Sequence, residues 1–246
     1  MRLIFWLAVP VSLAVLLAVS LLRRQHLDPR GSASGIHLVL VGASIGQAWH
    51  LSAWPSRAGL SGISAESVPA WQFDKSAAVS EVLMRPATPF HLTRTWLRSL
   101  YHPPRKADVV VLKECSSYFP GDLAAYRQQV RSWVRQLSEH RVKVVLATVV
   151  PVTRDRAREA PGKLESLLEF NRWVREYAAS NAFPLLDLEA ALRSGDDGFL
   201  ADEFATEDGS HLNPAAYAVL DRILLKFVRG HDLAPAASPA AYTARP

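Results

Sequence analysis

Hydrophobic positions along this chain follow two rhythms. Three short runs, Ile36–Gly42 (IHLVLVG), Ala107–Glu114 (ADVVVLKE) and Val142–Val150 (VKVVLATVV), are almost continuously apolar and rich in β-branched residues. That is the pattern of parallel strands covered on both faces. Phe183–Glu189 (FPLLDLE) reads as a fourth strand, and a segment within Leu60–Val68 supplies another. Between the runs the period becomes helical. Leu123, Tyr126, Val130, Val134 and Leu137 recur at spacings of three and four behind Asp122, a candidate cap. Leu164, Leu167, Leu168, Trp173, Val174 and Tyr177 make a second apolar face. Leu220, Ile223, Leu224, Phe227 and Val228 make a third, opened by Asn213 and Pro214 and closed by Gly230. Strands alternating with helices in this way predict a doubly wound α/β sandwich with a mainly parallel sheet.

The two ends break the rhythm. Leu3–Leu22 is twenty residues without a charge, about 30 Å of helix, which matches the hydrocarbon thickness of a bilayer. Arg2 before it and Arg23 and Arg24 after it nearly balance, so the flanking charges set no orientation. An uncleaved transmembrane anchor is the leading reading. A cleaved signal peptide, with GSASG at Gly31–Gly35 offering small residues, is the second. The expected organisation is an anchor or signal segment over residues 1–24, a linker over 25–35, one domain over 36–230 and a disordered Ala/Pro-rich tail over 231–246. Under either leading reading the domain is expected on the extracytoplasmic side of the membrane.

Composition narrows the partners. With 246 residues, 49% hydrophobic and 21% charged, the chain has material for one sizeable core and too little charge for general disorder. Its net charge of +5 comes from scattered Arg and Lys residues, so no nucleic-acid partner is expected. A single cysteine, Cys115, excludes an intramolecular disulfide. The acidic segment Asp196–Asp208 lacks calcium-loop spacing, and no His/Cys cluster suggests zinc, so no metal is expected.

Two stretches carry candidate chemistry. The first run ends in Gly-Ala-Ser-Ile-Gly, which puts Ser44 at a strand-to-helix turn where its hydroxyl is exposed and its N–H is free to act as a donor. The motif alone also fits an ordinary tight corner. A serine hydroxyl attacks an acyl carbon only with a base to take its proton and donors for the oxyanion that forms. Just before the last helix, Asp208–Asn213 reads DGSHLN, with Asp208 three residues ahead of His211. At that spacing a carboxylate can fold back on an imidazole, fix its tautomer and leave the other ring nitrogen for Ser44.

The order of these blocks, a serine after the first strand and Asp and His together on one C-terminal loop, resembles the SGNH or GDSL-like hydrolase family over Ile36–Gly230. The α/β-hydrolase pattern differs, because there the serine follows several strands and Asp and His occupy separate loops. The resemblance implies a flavodoxin-like three-layer α/β/α domain that hydrolyses or transfers acyl groups on esters, without a metal or organic cofactor; the expected partner is a small-molecule or glycan ester, the glycan following from the membrane location alone. It implies Ser44 as nucleophile, His211 as base and Asp208 as its orienting carboxylate. Ala43 stands where many members carry Asp. The family's glycine and Gly-x-Asn-Asp blocks supply further oxyanion donors. For the glycine this chain offers Gly62 or the turn at Phe73–Ser76; for the third block it has LKECSSYFPGD, with Cys115 near the Gly position and Ser117 near the Asn.

Lys113 and Glu114, and with them Lys75, are read in two ways: as substrate contacts or braces of the oxyanion loop, or as an ion pair at a strand end. Trp49, Trp54, Trp71 and Tyr118 are candidates for a cleft lining, with core packing the commoner fate of such residues. A reading from a different class is a non-catalytic SGNH-like module that binds an envelope glycan or a protein partner.

Overall fold

The structure, a computed structural model, describes residues 35–70, 75–82 and 107–231. Five strands, β1 (Ile36–Gly42), β2 (Ile63–Pro69), β3 (Val109–Lys113), β4 (Lys143–Ala147) and β5 (Leu185–Leu186), form one sheet in the order β2-β1-β3-β4-β5. Every pairing is parallel. The helices are α1 (Ser44–Ala48), α2 (Trp54–Arg57), α3 (Lys75–Val82), α4 (Leu123–Glu139), α5 (Arg154–Arg158), α6 (Lys163–Ser180), α7 (Leu188–Leu192) and α8 (Pro214–Gly230).

Side chains alternate across a strand, so a run apolar at every position must be covered twice. Leu38, Leu40, Val109, Val111 and Val145 pack against α1, α2, α7 and α8. Val39, Val41, Val110, Leu112, Val144 and Leu146 pack against α3, α4 and α6 on the opposite face. The result is the expected three-layer sandwich. Both cap expectations match the structure: Asp122 Oδ1 accepts from Ala125 N at 3.0 Å, and Asn213 Oδ1 from Ala216 N at 3.1 Å.

Two strands are shorter than their apolar runs. β4 ends at Ala147 because a side chain replaces its neighbour strand: the Asn171 amide accepts from Val149 N at 2.7 Å and donates to Val149 O at 2.8 Å. β5 keeps only two residues because Asp187 turns the chain, capping α7 through Ala190 N at 3.1 Å. The predicted membrane span, most of the linker and the tail beyond His231 lie outside the described residues. Among the described residues no helix is long and apolar enough to cross a membrane.

Asn171 belongs to a buried polar network beneath the loop that follows β4. Its Nδ2 also donates to Glu189 Oε2 at 2.9 Å, and Arg175 donates to Glu189 Oε2 at 2.7 Å and to both oxygens of Asp187 at 2.8 Å. Thr148 Oγ1 bonds Asp187 at 3.0 Å and accepts from Glu189 N at 2.9 Å. Every member is satisfied, which is the condition under which buried polar groups hold a fold rather than weaken it. Asn171→Leu leaves both backbone groups of Val149 buried without partners, at about 1–3 kcal/mol each. Urea denaturation should show a loss of roughly 3 kcal/mol or more.

Candidate active site

In a parallel sheet of this order the crevice opens at the carboxyl ends of the strands where the winding reverses, between β1 and β3. Ser44 begins α1 two residues beyond β1. Gly42 and Gly46, which flank it, both have ordinary negative φ. Their role is close approach: a Cβ on Gly46 would lie 2.5 Å from Leu40 Cδ2, so the glycine lets α1 sit directly on β1. Ala43 offers no side-chain cap, so the first-turn N–H groups of α1 have no capping side chain.

The loop before α8 is wound around Asp208. One carboxylate oxygen accepts from Ser210 N at 2.8 Å, His211 N at 2.9 Å and Thr206 Oγ1 at 3.0 Å. The other bonds His211 Nδ1. Partial burial pushes the Asp208 carboxyl up, but the His211 side chain and these donors outweigh it and hold the group well below the usual carboxylate range. Asp208 is thus ionised at any pH at which an imidazole is neutral. With Nδ1 taken, His211 presents Nε2 to Ser44 Oγ at 3.0 Å. The three side chains form one line of hydrogen bonds, open to solvent, with His211 and Asp208 about half exposed.

The supports of this loop are residues that sequence reasoning missed. Gly209 has φ +65°, and a Cβ there would fall 2.3 Å from Thr153 Oγ1 and 2.9 Å from Arg156 Cβ. Thr153 N donates to Gly209 O at 2.9 Å, so the loop after β4 carries the Asp208–His211 turn. The Asp-Gly dipeptide is a turn signal in the sequence, but the contact that makes glycine obligatory is long-range. Asn213 also works twice, capping α8 and donating through Nδ2 to Glu203 O at 2.7 Å and Ala205 O at 3.2 Å.

The remaining candidates separate. Gly62 stands at the amino end of β2, where its carbonyl accepts from Ile36 N at 2.8 Å. Seven residues of strand at ~3.3 Å each put it roughly 20 Å from the Ser44 turn, which overturns its expected role as oxyanion donor. Of the alternative turn, Phe73 and Asp74 lie outside the described residues, and Lys75 opens α3. Lys75 is fully buried, its ammonium donating to Lys113 O at 2.8 Å and ion-paired with Glu114 Oε1 at 2.8 Å. Lys113 Nζ is buried too and donates to Glu114 O at 2.9 Å. Burial pushes Lys113 down to about 8, with Cys115 opposing the shift and Lys75 adding to it. Neither lysine reaches solvent, so the substrate-contact reading is corrected: Lys75, Lys113 and Glu114 brace the end of β3. Cys115 is buried and accepts from Ser117 Oγ at 3.2 Å, while Ser117 itself is exposed. Trp49, Trp54 and Tyr118 are buried in the core rather than lining a cleft, and Trp71 lies outside the described residues. Among the described residues no His, Cys, Asp and Glu cluster could hold a metal ion.

The sequence model of the GDSL-like lipase/acylhydrolase family matches residues 75–219, more than half of the chain. The chain belongs to this family. It is an SGNH-type hydrolase, and the matched GDSL region contains Asp208 and His211 and begins after Ser44. No curated protein matches the chain. Among solved structures, a GDSL-like lipase from Bacteroides thetaiotaomicron superposes with TM-score 0.59 at 14% identity, covering 85% of this chain and 97% of its own. A lipase/acylhydrolase from Enterococcus faecalis gives 0.56 at 17%, covering 79% and 96%. An acetyl xylan esterase gives 0.54 at 17%, covering 78% and 100%. At these identities the likeness is one of fold, and it extends over nearly the full length of each of these neighbours.

Gly209→Ala tests the turn. The substitution combines a left-handed residue with a clash, so thermal or urea denaturation should report roughly 2–4 kcal/mol of destabilisation. Gly59, with φ +64° and open space around it, isolates the backbone cost alone, about 1–2 kcal/mol on change to Ala.

Proposed function

We propose that the chain is a membrane-tethered serine esterase or acyltransferase acting on short acyl esters through Ser44, His211 and Asp208. The observation that carries the reading is the 3.0 Å contact of His211 Nε2 with Ser44 Oγ, with Nδ1 held by an ionised Asp208. Ser44 Oγ attacks the ester carbonyl while His211 takes its proton. The imidazolium that forms is stabilised by Asp208 and then protonates the leaving alcohol. Water, or a second hydroxyl, enters with His211 again as base and releases the acyl group. The serine N–H is one oxyanion donor, and the exposed Ser117 hydroxyl, which the family resemblance puts near the Asn position, serves as a second once it turns away from Cys115 Sγ. Losing one such donor costs about 2.7–4 kcal/mol of transition-state stabilisation, so a serine in place of Asn is compatible with slower turnover.

The acetyl xylan esterase among the fold neighbours supports a short acyl group on a glycan as the substrate class. The uncharged stretch Leu3–Leu22 supports the tether, with the domain on the extracytoplasmic side. Hydrolysis of p-nitrophenyl acetate tests the mechanism. Ser44→Ala and His211→Ala should each reduce kcat by about 10⁴-fold or more, leaving only the residual rate that oxyanion stabilisation and binding support without the triad. Equal turnover in the wild type and both variants contradicts the assignment, and glycan binding without turnover by the wild type favours the non-catalytic module.

A further inference from the structure

A helix of five residues cannot hold itself in place, yet α1 carries Ser44 and must present it to within a hydrogen bond of His211. Ile45 and Trp49 are buried, which fixes one face of the segment. Its carbonyls are then held from outside. Gly46 O accepts from Ser67 Oγ at 2.6 Å and Ile45 O from Tyr217 Oη at 3.3 Å. At the far end, Arg57 donates from Nη2 to Trp49 O at 3.3 Å and from Nη1 to His50 O at 3.2 Å. His50 is a non-glycine residue in the left-handed region, φ 50° and ψ 49°, a conformation that persists only where its surroundings enforce it.

One carboxylate on α8 organises that enforcement. Asp221 Oδ1 accepts from Trp49 Nε1 at 2.8 Å and from Arg57 Nη2 at 3.0 Å, and Oδ2 accepts from Arg57 Nε at 2.8 Å. The Asp221 carbonyl takes Trp54 Nε1 at 3.4 Å. α8 begins three residues after His211. The same rigid helix therefore fixes the end of the histidine loop and, through Asp221 and the Arg57 fork, the end of the serine helix.

We infer that Asp221 and Arg57 are positioning residues for Ser44, a role that rests on the catalytic reading of Ser44 given above. The ion pair is partly exposed, with side-chain accessibilities of 40% for Arg57 and 23% for Asp221. Such pairs add little to global stability. What the fork supplies is direction: a planar guanidinium spans a carboxylate on one side and two carbonyls on the other, which an ammonium cannot do. A small misplacement of a reacting group costs up to about 100-fold in rate, so the loss should appear in kcat while the substrate-binding surface is unchanged.

The full-length chain in detergent, with p-nitrophenyl acetate kinetics and fluorophosphonate labelling at Ser44, tests this. Asp221→Ala and Arg57→Ala are expected to lower kcat and the labelling rate about 10- to 100-fold, with KM within twofold and the melting temperature within a few degrees. Arg57→Lys keeps the charge and loses the fork, and is expected to fall as far as Arg57→Ala. Trp49→Phe keeps an aromatic ring at the buried position but removes the indole donor and part of the side-chain volume, and is expected to lower the labelling rate by less than Arg57→Lys, with some loss of melting temperature. Wild-type labelling rates in Arg57→Lys and Asp221→Ala overturn the positioning role while leaving Ser44 as nucleophile. A folded wild-type chain that is not labelled at Ser44 overturns the catalytic reading and the clamp together.

Discussion

Ser44 and His211 are 167 residues apart in sequence and 3.0 Å apart in space, and most of the architecture is needed to hold that contact. The serine depends on β1 lying inside a sheet buried on both faces, so that the strand end is fixed and the next turn emerges at a defined point. The histidine depends on a loop with little core of its own. Leu212 is its buried anchor, and the remaining restraint is polar: the Asp208 carboxylate within the turn, Thr153 against Gly209, and Asn213 behind it. The loop after β4 that bears on Gly209 is in turn held by Asn171. A chain of satisfied polar contacts thus runs from a buried amide in α6 to the half-exposed imidazole.

At the end of β3 the chain reads LKECSSYFPGD, where the family resemblance implies a Gly-x-Asn-Asp block. A Gly-x-Asn block keeps a strand end small and polar, whereas here two lysines and a glutamate are buried in the same region. Their ammonium groups are spent on backbone carbonyls of Lys113 and Glu114 and on one carboxylate. That arrangement fixes the path of the chain into Ser116–Tyr118, at the cost of desolvating charge, and leaves Ser117 as the exposed polar group of the block.

Periodicity made the sheet and the long helices legible, since burial on two faces leaves continuous apolar runs and burial on one leaves a stripe. The Asp208–His211 pairing was legible as well, because both partners lie within one turn of chain. What the sequence hid was set by contacts between distant segments. Nothing local marks Asn171 as the amide that ends β4, and Gly62 proves to lie at the wrong end of the sheet because β2 begins at Ile63, a boundary that the reading of Leu60–Val68 leaves open. The charges at Lys113 and Glu114 read equally well as site or brace, and only their burial beside Lys75 decides it. The twenty-residue apolar stretch near the amino terminus falls outside the described residues, so its membrane role rests on its length and composition.

The central claim is that one hydroxyl, that of Ser44, is the nucleophile. Its most direct test is to expose the folded chain to a fluorophosphonate, digest it and locate the adduct by tandem mass spectrometry. The account predicts a single phosphonylated residue per chain, on the peptide containing Gly42–Gly46 and at Ser44. An adduct at Ser117 or Cys115, or none on a chain that remains folded, contradicts it.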